Sequence, residues 1–119
     1  MIRSRFAATM CVLLVLLFSV ALLVPVQYLP FDTRYDKVQH ALFFAVITVL
    51  LAMSVRLPML KIGLLVSLFA VVSELTQNFI PYRSGNLDDL IADMIGVIVS
   101  CLSIALLQVL YGKIGRQPR

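Results

Sequence analysis

The chain is poor in charge: ten Lys and Arg and six Asp and Glu make 13% of its 119 residues, against 61% hydrophobic residues and a mean hydropathy of +1.02. A soluble domain of this size needs far more polar surface, so a water-soluble globule is excluded, whereas a chain dissolved in lipid wants an apolar exterior. Only five glycines rule out a collagen-like repeat, and the high apolar content rules out a disordered chain. The two cysteines, Cys11 and Cys101, both sit inside long apolar runs and cannot build a disulfide framework. They are expected to pack, unpaired, as small hydrophobes. No stretch interleaves basic and aromatic residues as a nucleic-acid surface does, and no glycine loop for phosphate or serine nucleophile elbow is present. No nucleic-acid partner is expected, and a small integral membrane protein is what remains.

From Phe6 to Phe31 there is no charged residue, which predicts a first membrane span over about 7–26. A basic start before an apolar run also describes a secretory signal, but no Ala-x-Ala site precedes Pro25 or Gln27, and the segment reads as an uncleaved anchor. Pro25 and Pro30 close it. Further spans are expected over 38–55, 62–80 and 90–111, and the short 56–61 connection makes its flanking helices antiparallel. The fold class is therefore all-α, one integral membrane domain of four helices. An even number of spans puts both termini and the 56–61 loop on one side. That side carries Arg3, Arg5, Arg56, Lys61, Lys113, Arg116 and Arg119; the other carries Arg34, Lys37 and Arg83. Seven basic residues against three make the first side cytoplasmic by the positive-inside rule.

Ionisable groups inside the spans are the informative residues, because holding them at membrane depth costs kilocalories unless they find partners. There are three, His40, Glu74 and Asp93. With this topology all three fall in the outer leaflet. Helical spacing groups Asp36 with His40, Glu74 with Gln77, and Asp89 with Asp93, so that each of three helices presents one polar face. Those faces continue as small residues, Gly63, Ser67 and Ala70 on the third helix and Gly96, Ser100 and Ser103 on the fourth. Small residues let membrane helices approach closely, so the stripes are expected to line the bundle interior and turn the carboxylates toward one another. Arg83 is the natural countercharge, with Lys37 a second.

Asp36-Lys37-x-x-His40, Glu74-x-x-Gln77, Pro81-x-Arg83 and Asp89-x-x-x-Asp93-x-x-Gly96 together resemble the signature of the VanZ-like family of small bacterial membrane proteins. The match runs from Asp36 to Gly96 with the expected order and gaps. The resemblance implies a four-helix, multi-pass inner-membrane protein, in a family whose founding member contributes to resistance to the glycopeptide teicoplanin. Two positions depart from the pattern: the family commonly has Asn where this chain has Asp93, and often Tyr where it has Phe44.

Each candidate has two readings. Glu74 is either structural glue paired with Arg83 or a general acid or base on a lipid-linked substrate. His40 either hydrogen-bonds Asp36 at a helix start or shuttles a proton. A set drawn from His40, Asp36, Glu74 and Asp93 is chemically acceptable for zinc or manganese, yet no HExxH or paired-cysteine pattern supports it, so neither a metal nor a cofactor is expected. Asp88 is a helix-start residue, whereas Asp89 joins the site through the family pattern. Arg83 has the fork that suits a phosphate. Phe43 and Phe44 read as bundle packing, and Tyr28, Tyr35 and Tyr82 as an interfacial aromatic belt. Two functions survive. One is a non-catalytic envelope protein binding a lipid, a glycopeptide or a lipid-linked precursor through Asp36, Lys37, Gln77, Arg83 and Asp89. The other is a membrane enzyme doing acid and base chemistry on a phosphate- or sugar-bearing lipid with Glu74, His40 and Asp93. A proton-coupled transporter stands behind both, disfavoured because the polar groups cluster at one side. The sequence leaves the oligomeric state open.

Overall fold

A computed structural model of the chain describes residues 4–23, 36–79 and 87–115. They form four helices: α1 Arg5–Leu23, α2 Asp36–Ser54, α3 Met59–Asn78 and α4 Leu87–Gly115. All four are long and apolar enough to cross a membrane. Helices are what such runs must form, because lipid offers no partner for backbone N–H and C=O groups and a helix satisfies them within the segment. Hydroxyls obey the same constraint by bonding back along their own helix. Thr48 Oγ1 donates to the Phe44 carbonyl at 2.7 Å, and Ser73 Oγ to the Ala70 carbonyl at 2.8 Å.

Local chemistry sets the ends. Ser4 Oγ accepts the Ala7 N–H at 3.1 Å and caps α1. Pro58, at φ −58° and ψ 147°, starts α3, so this helix begins three residues before the expected position 62 and carries Lys61 in its exposed first turn. Likewise α4 begins at Leu87 rather than 90, taking Asp88 and Asp89 into its first turn, where the helix dipole favours them.

α2 packs against all three other helices. It runs parallel to α4, and the pair forms the axis of the bundle. Gly96 permits the close approach: a Cβ there would overlap the Ala41 carbonyl oxygen, with the carbonyl carbon at 3.0 Å. One turn further on, Ser100 Oγ donates across the seam to the Ala45 carbonyl at 3.3 Å. Beyond the seam lies an apolar core of Phe44, Ile47, Ala52, Ile62, Val66, Ala70 and Val97. Phe18 of α1 stacks on Phe43 at 4.5 Å between ring centroids and meets Phe44 and Phe69 edge-on at 5.8 and 5.7 Å. Lipid-facing surface supplies the rest, with Leu13, Leu17, Leu64, Leu68, Ile98 and Leu102 exposed. Cys11 and Cys101 are free thiols, as expected.

One expected stripe needs correction. Asp93, Gly96 and Ser100 are buried, but Ser103 is exposed, and Ile104 is the residue that turns inward. The cause is helical phase: ten residues at about 100° each leave Ser103 about 80° away from Asp93, whereas the eleventh, Ile104, returns to within about 20°. On α3, Ala70, Glu74 and Gln77 are buried as the stripe requires, while Gly63 and Ser67 are half-buried and Ile62 and Val66 fill the interior beside them.

Candidate functional site

α2 and α4 both start, and α3 ends, at the same end of the bundle, and this topology gathers the ionisable residues. Lys37 and His40 lie on the first turns of α2, Asp89 and Asp93 on those of α4, and Glu74 near the end of α3. Asp93 is six residues into its helix and Glu74 four residues from the end of its own, which at 1.5 Å per residue is about 9 and about 6 Å of depth.

The i, i+3 pair on α2 meets the i, i+4 pair on α4 across the seam. Lys37 Nζ donates to Asp89 Oδ1 in an ion pair. His40 Nδ1 meets Asp93 Oδ1 at 2.8 Å, while the other ring nitrogen, Nε2, faces Asp89 Oδ2 at 3.8 Å. Nitrogen and carboxylate groups therefore alternate in the order Lys37, Asp89, His40, Asp93. Glu74 closes the group from α3: His40, Glu74 and Asp89 each offer a nitrogen or oxygen ligand atom, all within 4.8 Å of one another. Glu74 Oε1 and Asp93 Oδ2 are sealed from solvent.

Accessibility falls steeply with depth. The Lys37 side chain is 49% exposed, those of Asp89 and His40 are largely covered, and Asp93 is 0% exposed. An Asp at the centre of a membrane helix costs about 2.5–3.5 kcal/mol on insertion scales, and a hydrogen bond to a charged group returns about 1.5–3 kcal/mol. The two are comparable, so the contact with His40 offsets much of the cost of burying Asp93.

Among the candidates from the sequence, Lys37, His40, Glu74, Asp89 and Asp93 come together, and Gln77 is buried one turn beyond Glu74 toward the helix end. The side chain of Asp36 and all of Arg83 lie outside the described residues, as do Tyr28, Tyr35 and Tyr82. Sequence spacing missed the partnership of α2 with α4, because periodicity ranks faces within a helix and says nothing of which helices touch. Gly96 was the available signal. Phe44, at the position of the absent tyrosine, is 0% exposed and wholly inside the aromatic cluster.

Four membrane-spanning helices with an ionisable cluster buried at one end define a small multi-pass membrane protein built around an intramembrane polar site. The model of the VanZ/LLP1 family matches residues 3–108, and the chain belongs to that family. No curated protein and no solved structure matches it.

Proposed function

We propose that this protein is a component of the bacterial inner membrane that binds a lipid, a glycopeptide or a lipid-linked envelope precursor, with both termini cytoplasmic and the site in the outer leaflet. One observation carries the reading: three helices deliver Lys37, His40, Glu74, Asp89 and Asp93 to one end of the bundle, graded from a half-exposed ammonium to a sealed carboxylate. An amphiphile suits such a place. Its head group would meet polar side chains at the bundle end while its chains lie along the exposed leucines and valines of the helices. Three carboxylates favour the hydroxyl and amine donors of a sugar or peptide head group. Lys37 and Arg83 would take a phosphate. Glycopeptide susceptibility is the phenotype such binding would influence.

The second reading, acid and base chemistry on a phosphate- or sugar-bearing lipid, is favoured by the 2.8 Å contact of His40 with Asp93, since a buried carboxylate that orients an imidazole is the usual support of a catalytic base. Glu74 would be the second proton-transfer group.

The test is lipid mass spectrometry of the protein purified in mild detergent, beside Glu74→Gln. Binding predicts one lipid class enriched over the bulk membrane and lost in the variant. Identical bulk-like lipid profiles in both would overturn the binding reading. Enrichment of two species differing by one hydrolysed bond would favour the enzyme.

A further inference from the structure

The chain has one histidine, and its two ring nitrogens meet different carboxylates. Nδ1 lies at hydrogen-bonding distance from Asp93, which is buried behind it. The other ring nitrogen, Nε2, faces Asp89 Oδ2, and Glu74 offers a carboxylate oxygen to the same group. The separation of 3.8 Å between Nε2 and Asp89 Oδ2 is too long for a hydrogen bond. Two ligands of one zinc ion, each about 2.0–2.2 Å from it, stand about 3.4 Å apart, so a small contraction would bring these atoms to coordinating distance. Asp89 divides its work in the same way, giving Oδ1 to Lys37 and leaving Oδ2 toward the histidine.

We infer that His40 Nε2, one oxygen of Glu74 and Oδ2 of Asp89 form a binding site for a divalent transition-metal ion of the zinc type. Three features carry this. The donors come from three different helices, α2, α3 and α4, and their ligand atoms already lie within 4.8 Å of one another. A nitrogen with two carboxylate oxygens is a donor set for zinc or manganese and a poor one for magnesium, which prefers oxygen alone. Asp93 stands where a carboxylate behind a metal-binding histidine stands, bonded to the nitrogen that does not face the ion and holding the ring in one tautomer. Three protein ligands would leave a fourth position for water or a ligand group. This set differs from the one the sequence brings to mind, His40 with Asp36, Glu74 and Asp93, since Asp89 takes the place of Asp36 and Asp93 as ligand and Asp93 becomes the positioning residue. The site goes beyond the proposed binding function and does not depend on it, because metal content and lipid content are separate readouts of the same preparation.

The experiment uses the full chain in detergent, stripped with a chelator and titrated with Zn²⁺, Mn²⁺, Mg²⁺ and Co²⁺, with bound metal counted by plasma mass spectrometry. One Zn²⁺ or Mn²⁺ per chain is expected, unchanged in the double variant Cys11→Ser/Cys101→Ser and lost in His40→Ala and Asp89→Asn. Asp93→Asn should weaken binding by about 10- to 100-fold without altering the stoichiometry. If His40→Ala or Asp89→Asn does not fold, the Co²⁺ spectrum of the unmutated chain decides the matter: visible bands of a nitrogen and oxygen set without thiolate charge transfer are expected. Failure of the wild-type protein to retain any of these ions at micromolar concentration overturns the proposal. So does retention that survives His40→Ala, depends on the cysteines, or belongs to Mg²⁺ alone.

Discussion

Gly96 of α4 rests against the main chain of Ala41 of α2, and the absence of its side chain brings the two helix starts close enough for His40 to reach Asp93 at 2.8 Å. The packing contact and the polar contact are one turn apart on the same seam, so a change to the first is transmitted to the second.

Gly96→Ala should therefore damage both. The added Cβ would overlap backbone atoms that cannot rotate away, and helix separation would cost about 1–3 kcal/mol. Thermal melting in detergent should fall by several degrees. Gly63→Ala is the matched control, because its Cβ would meet the Cys101 sulfur at 3.2 Å, a side-chain atom able to shift. Near-equal melting temperatures for the two variants would show that the α2–α4 approach does not limit stability.

Asp93→Asn should keep the fold. The amide oxygen can still accept from His40, and exchanging a charge-assisted bond for a neutral one costs about 1 kcal/mol. Asp93→Leu leaves the imidazole facing a hydrocarbon and should cost about 1–3 kcal/mol more. Melting curves that place Asn and Leu together would mean that His40 draws nothing from position 93.

Much of this fold was legible because apolar runs in lipid have few solutions. The number of spans, their all-helical character and the inward turn of Glu74 and Asp93 follow from length, hydropathy and the cost of a buried charge. The starts of α3 and α4 fall at Met59 and Leu87, earlier than hydropathy places them, because Pro58 at the N-cap opens a helix and the carboxylates of Asp88 and Asp89 are favoured within a first turn. Ser103 was misplaced by reading a 3.5-residue repeat where the helix keeps 3.6. The pairing of Lys37 with Asp89 and of His40 with Asp93 was not legible, since each contact joins residues more than fifty positions apart through a helix pairing that no local pattern encodes.

Topology is tested independently of the site. Seven basic residues on the side of the termini against three on the other predict that a reporter fluorescent only in the cytoplasm, fused after Arg119, will be bright. A dark fusion with periplasmic phosphatase activity at the same point would invert the protein and place Lys37 and its neighbours at the cytoplasmic surface.

Glu74→Gln separates function from stability. The residue is 6% exposed, and its carboxyl lies among the ligand atoms of His40 and Asp89. An amide keeps the shape and loses both the charge and the proton, so a binding or proton-transfer role predicts normal membrane abundance and a melting temperature within a few degrees of wild type. Lipid enrichment, and any shift in glycopeptide susceptibility that the wild-type protein confers on a strain, should both be lost. If Glu74 instead serves as an ionic brace for a neighbouring cation, the substitution leaves that cation buried and underpaired, at a cost of about 3–5 kcal/mol, and folding should suffer first. The two quantities are read together, abundance and melting on one side and susceptibility on the other. A stable variant with wild-type susceptibility and lipid content removes Glu74 from the working site, and a variant lost from the membrane assigns it to the scaffold.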